Sequence, residues 1–234
     1  MQRKFILLLL VIIALPAMSQ VGELRNNFSV GVNAGLNYNN VSFSPKIQQS
    51  GLIGYGGGLT ARYISEKYFA MICGIQIELN YTQRGWKEKF EEDPNNPRDP
   101  NLPLDSYQRT LNYLEIPFLA HLAFGKERGG RFFINAGPQI AFLMSENEKY
   151  SESFNDGRNQ EAFNKTVENK FDYGIVGGMG VEIRTKAGNF LLEGRYYFAL
   201  SSIFKDTKKD YYSRSANNVI LGRITYLMDL KNKK

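Results

Sequence analysis

The chain is poor in the residues from which covalent cross-links and most catalytic sites are built. It has one cysteine, one histidine and one tryptophan in 234 residues. A lone Cys73 excludes an intramolecular disulfide and any cysteine metal cluster. With His121 as the sole histidine, no nucleophile–histidine–acid arrangement can be assembled at an outer rim, as a lipid-editing enzyme would need. The carboxylates Glu91, Glu92, Asp93, Asp99 and Asp105 do not follow the spacing of an EF-hand. The sequence therefore predicts no catalytic residue, no metal and no cofactor. The net charge of +6 is scattered, includes Arg3 and Lys4, and shows no basic helix or aromatic–basic motif suited to nucleic acid.

Long apolar runs are missing too, apart from Phe5–Leu15. That run follows a basic start and precedes the small residues Ala17 and Ser19, which reads as a secretory signal peptide over residues 1–19. Residues 20–27 then form a short periplasmic segment, 28–230 a barrel and 231–234 a basic tail. An exported chain without helical spans is either soluble outside the cell or a barrel.

What the chain has in abundance is alternation. On one face of a predicted strand stand Met71, Cys73, Ile75, Ile77, Leu79 and Tyr81, and on the other Gly74, Gln76, Glu78, Asn80, Thr82 and Arg84. The run from Arg109 to Phe124 repeats the pattern, with Leu114, Ile116, Phe118, Ala120, Leu122 and Phe124 on its apolar face. Period 2 marks a strand with one greasy and one wet side. Each face is long enough to cross a bilayer, which takes about 9–11 residues of tilted strand.

Eight such strands are predicted: 28–38, 53–64, 69–84, 109–124, 131–144, 171–184, one starting near Phe190, and one carrying Ile220 to Leu230. Their connections alternate long and short. Asn39–Leu52, Trp86–Gln108, Ser145–Lys170 and Ser201–Ala216 are the long ones; Ser65–Tyr68, Gly125–Gly130 and Thr185–Gly188 are tight turns. The expected fold is all-β: an eight-stranded antiparallel transmembrane β-barrel, an up-and-down meander with a plugged lumen. Both mature termini then lie in the periplasm and the long loops outside. Aromatics at strand ends (Tyr38, Tyr55, Tyr63, Tyr81, Trp86, Phe124, Phe132, Tyr173, Phe190) suit interfacial girdles. A secreted lipocalin-like barrel would need the opposite arrangement, apolar inside and polar outside.

Tyr113-Leu114-Glu115-Ile116-Pro117-Phe118, with Gly35-Leu36-Asn37, Tyr81-Thr82-Gln83-Arg84-Gly85 and Gly137-Pro138, resembles the PorT-like, outer-membrane β-barrel domain ("porin family") proteins of Bacteroidetes-type bacteria. The resemblance implies an eight-stranded outer-membrane barrel, with some relatives supporting protein secretion.

The inward faces carry the candidate site. Glu78 and Glu115 are expected together near mid-membrane, with Arg195 and Arg223 reaching them across the lumen. Arg62, Glu182, Arg184 and Glu193 lie nearer the periplasm. Buried charges must pair, so these eight residues are expected to fill the lumen as an ion-pair network. A narrow channel for ions or small solutes is the alternative, and a lipid-modifying barrel enzyme is a third, less favoured reading. His121 is expected as a hydrogen-bonded lumen residue. Pro117 and Pro138, on adjacent strands, each remove a ladder hydrogen bond. They mark a bulged or weakly paired wall, a possible partner seam. The expected partners are outer-membrane lipid and a protein bound through the loops or the barrel wall.

Overall fold

The computed structural model describes residues 23–89, 106–125, 129–150, 166–205 and 213–230. They form eight antiparallel strands: β1 (Glu23–Ser44), β2 (Gln49–Tyr68), β3 (Met71–Lys89), β4 (Ser106–Gly125), β5 (Gly129–Tyr150), β6 (Phe171–Arg184), β7 (Asn189–Ala199) and β8 (Arg214–Leu230). Each strand pairs with the next, and β8 returns to β1, with Phe28 opposite Leu230 and Ser44 opposite Arg214. Closure leaves no unpaired sheet edge around the belt, the condition for spanning lipid with strands.

Around the belt the outward residues are apolar and exposed: Val32, Leu36 and Tyr38 on β1, Ile75, Ile77 and Leu79 on β3, Ile220 and Ile224 on β8. Inward residues at the same heights are small or polar. Gly31 and Gly35 face inward where β1 crosses β8, and a Cβ on either would run into the carbonyl oxygens of Tyr226 and Gly222.

Above the belt, at the end opposite the chain termini, the alternation changes sign. Val41 and Phe43 turn inward and are buried, whereas Asn40, Ser42 and Ser44 turn outward. Trp86, Tyr107 and Leu111 are likewise buried inward, with Lys87 exposed and Gln108 partly exposed outside. The strands thus continue past the lipid-facing band into a zone with an apolar inside and a polar outside, the ordinary arrangement in water.

This continuation corrects several predicted boundaries. The connection placed at Asn39–Leu52 is mostly strand, since β1 runs to Ser44 and β2 starts at Gln49. The Gln49 amide binds both the N–H and the C=O of Val41, standing in for a backbone neighbour where β1 and β2 part. β3 extends through Trp86 to Lys89, and β5 reaches Tyr150. Trp86, expected in the aromatic girdle, lies inside at 2% exposure. The β2–β3 turn falls at Phe69-Ala70, with Phe69 at φ 52°, rather than at Ser65–Tyr68. A register shift between Ile64 and Glu66 accommodates the longer β2. β1 begins at Glu23, inside the segment read as a periplasmic lead-in. Strand β6 and the Thr185–Gly188 turn match their expected positions. The leader, the five loop carboxylates and the basic tail lie outside the described residues.

Candidate functional site in the barrel lumen

The lumen is built in storeys. Nearest the termini, Arg62 of β2 meets Glu182 of β6 on the opposite wall through hydrogen bonds of 3.1 and 2.8 Å. His121 Nδ1 lies 2.8 Å from Asn135 Oδ1, and its ring is 5.3 Å from that of Phe133. Ile64, Ile72, Phe133, Leu191 and Leu227 pack together at this end.

One storey up, Glu78 is the hub. Arg195 binds both its oxygens, at 2.6 and 2.9 Å, and Arg223 binds Oε2. Gln76 and Asn80, its neighbours on the inward face of β3, donate at 2.7 and 2.9 Å. Glu193 takes the remaining reach of Arg195 at 2.7 Å and accepts a hydrogen bond from Asn135.

Higher again, Arg84 is fully enclosed. It forms ion pairs of 2.6 Å with Glu115 and with Asp172. Its guanidinium carbon lies 4.9 and 4.4 Å from the ring centres of Tyr113 and Tyr197, a cation–π sandwich worth about 2 kcal/mol or more when desolvated. Leu119, Val176, Tyr197, Val219 and Leu221 form a second apolar layer.

At the mouth lies a third apolar layer. Phe43 and Phe204 meet Trp86 edge-on, at 5.3 and 6.4 Å between ring centres, with Tyr107, Leu111, Val167 and Ile203 packed around them. Arg109 lies over the Trp86 and Phe204 rings and is held by Glu146 and Glu148 at 2.8 and 3.0 Å. Phe204 and Ile203 come from the β7–β8 connection. That segment is tied down by Asn169, which donates to Ser202 O and Phe204 O, and by Ser215, which accepts from Ile203 N and Phe204 N. The Trp86 indole donates to Glu88 at 3.0 Å; burial pushes the Glu88 carboxyl above its usual range, although this hydrogen bond and Arg109 pull it back.

Seven of the eight expected network residues are buried inside the barrel, but their pairing differs from the expectation. Both Arg195 and Arg223 serve Glu78; Glu115 is neutralised by Arg84. Arg184 lies at the rim on the termini side, bonded to Asp229 and Asn189. Arg84 and Asp172 fall on inward faces of the predicted strands but at their ends, outside the depth at which the network is expected, and so are not part of the predicted set. Their neighbours Tyr113 and Tyr197 carry the correct inward parity and were the available signal. Among the described residues, six arginines (62, 84, 109, 131, 195, 223) and six carboxylates (78, 88, 115, 172, 182, 193) are buried, with no buried lysine. The guanidinium fork suits this task, since it stays charged and binds carboxylates in pairs.

The prolines do not bulge the wall. The register is unchanged across them, but the ladder is interrupted between Ile77↔Phe118 and Asn80↔Glu115 and between Pro117↔Gln139 and Ala120↔Ala136, so the wall beside the prolines is weakly paired rather than bulged. The shift between β4 and β5 falls instead at Asn112/Tyr113. Beside Pro138 the strands approach closely: a Cβ on Gly137 would lie 3.0 Å from the Phe118 carbonyl carbon.

An eight-stranded ring with an apolar outer wall and a charged, hydrogen-bonded inside defines a transmembrane β-barrel of the outer-membrane class. The family described as outer membrane protein beta-barrel domain matches residues 18–205, and the chain belongs to that family. It is accordingly an integral protein of the bacterial outer membrane. Among solved structures it is similar in fold to the outer membrane protein OprG of Pseudomonas aeruginosa, at 9% identity and a TM-score of 0.50, covering 90% of this chain and 99% of that one. Ail of Yersinia pestis, in complex with the heparin analogue sucrose octasulfate, gives 14% identity and a TM-score of 0.40 over 87% of this chain and 100% of that one. Neisserial surface protein A gives 12% and 0.40, over 85% and 96%. No curated protein matches the chain.

Proposed function

We propose that the chain is a closed, non-enzymatic barrel whose role is structural or protein-binding, with both termini in the periplasm and the long loops outside. The observation that carries this reading is the interior. Among the described residues the six buried arginines are matched by six buried carboxylates, and three apolar layers alternate with them. A selective channel needs a surplus of one sign or a continuous wet path, and eight strands enclose only the space that side chains fill. The PorT-like resemblance adds a possible accessory part in secretion, with the partner meeting the loops or the barrel wall. Planar-bilayer recording tests closure: the parent protein is expected to show no conductance steps, and reproducible steps would overturn it. Affinity isolation from outer membranes in mild detergent tests for the partner.

A specific observation favours a second reading, a narrow ion path. Asn33, Asn37 and Asn39 on β1 and Gln76 and Thr82 on β3 each leave a buried oxygen without a hydrogen-bond partner among the described residues. Water or a monovalent cation moving along that wall would satisfy them. The same recordings, made in potassium and in sodium salts, distinguish the two.

A further inference from the structure

On the outer wall where β7, β8 and β1 meet, a polar shelf interrupts the belt's upper edge. Tyr196 donates its hydroxyl to Asn218 Oδ1 at 3.3 Å, and Asn218 Nδ2 donates to Ser42 Oγ at 2.6 Å. Asn40, directly opposite Asn218, and Ser44, opposite Arg214, are exposed beside them. Arg214 stands over this shelf with its guanidinium carbon 5.6 Å from the ring centre of Phe198, the aromatic that closes the belt on β7. Among the described residues no carboxylate pairs with Arg214. Lys46 is exposed two residues beyond Ser44, so a second cation lies near the same seam.

The combination has a direction. A cation backed by an aromatic face, with hydroxyl and amide groups below it, sits where acyl chains give way to headgroups. A guanidinium with no carboxylate partner among the described residues is matched there by a phosphate, which it can bind through two parallel hydrogen bonds. Snorkelling to water alone does not require the Asn218–Ser42–Tyr196 chain, whose groups are placed to meet sugar or glycerol hydroxyls. We propose that this shelf binds the phosphate-bearing headgroup of a membrane lipid. Resting on the orientation given under Proposed function, that lipid is a phosphorylated glycolipid of the outer leaflet.

The test uses the full mature chain in detergent, with native mass spectrometry of complexes formed with diphosphorylated lipid A, dephosphorylated lipid A and phosphatidylglycerol. The parent should retain the diphosphorylated glycolipid about tenfold more tightly than its dephosphorylated form, the size of one charge-assisted contact. Arg214→Gln should abolish that preference; Lys149→Gln, on the opposite wall, should leave it intact. An unchanged unfolding midpoint for Arg214→Gln shows that folding is not the cause. Equal retention by parent and Arg214→Gln overturns the site. Preference for phosphatidylglycerol with the same Arg214 dependence upholds the phosphate site and overturns the orientation. Protease access to a tag inserted after Asp206 checks that orientation independently.

Discussion

Arg195 reaches from β7 to the carboxylate of Glu78 on β3, the opposite wall, through two hydrogen bonds of 2.6 and 2.9 Å. A single side chain therefore spans the lumen and ties two strands that are four places apart around the ring. Because Arg223 binds the same carboxylate, Glu78 joins two guanidinium groups, of which Arg195 also pairs with Glu193.

Glu78→Gln should cost about 3–5 kcal/mol, the usual loss when a buried charge is stranded. Arg223→Leu should cost less, since Arg195 remains on Glu78. The double variant should be more stable than simple addition predicts, because the two sites share one partner. Urea unfolding of the detergent-folded barrel measures all three. Equal losses for the two single changes would show that Glu78 is not the hub.

Arg84→Leu leaves Glu115 and Asp172 facing a common space without their cation, and should lower the unfolding midpoint as strongly as Glu78→Gln. Arg84→Lys should recover only part of the loss. An ammonium can meet one carboxylate but cannot fork between two while lying flat between the Tyr113 and Tyr197 rings. Full recovery by lysine would mean that charge alone matters here.

The sole tryptophan reports on the mouth. Phe204→Ala removes a buried ring that contacts Trp86 and should cost about 3–5 kcal/mol. Trp86 emission should shift to the red and its quenching by acrylamide should rise. Conductance should stay absent, because the charge storeys below are untouched. Glu78→Gln, by contrast, should leave native-state emission unchanged.

Glu88 gives the mouth a pH dependence. Its carboxyl is raised in the folded state, chiefly by burial, so the folded protein holds the proton more tightly than the unfolded chain. Its contribution is fully present below the ordinary glutamate range and is lost as pH rises through the folded value. Stability followed by Trp86 fluorescence should decline over that rise, and Glu88→Gln should flatten the slope. A slope unchanged in Glu88→Gln would assign the titration to another group.

The belt was legible in the sequence because lipid imposes a single rule there. Ile75, Ile77 and Leu79 out, with Gln76, Glu78 and Asn80 in, can be read without knowing any neighbour. Above the belt the rule reverses. Asn39 to Gln49 then reads as a loop although most of it is strand, because the apolar residues Val41 and Phe43 occupy the opposite parity. Trp86 was misplaced for the same reason: as an aromatic at a predicted strand end it resembles a girdle residue, and only the sign change turns it inward. Which arginine meets which acid depends on stagger between strands, which alternation does not specify. Position along the strands puts Glu78 level with Arg195 and Arg223, as found, but does not assign Arg84 to Glu115.

The reversal at Asn39–Asn40 also means that the barrel is held together by different balances of force at different heights. The upper storey is an oil drop in water, whose cohesion weakens on cooling. The lower storeys add cross-lumen ion pairs of Arg62, Arg84 and Glu78 to their own apolar layers. In the cold, the part above the belt should loosen first, with Phe204 leaving Trp86 while the ion-paired storeys below keep their contacts.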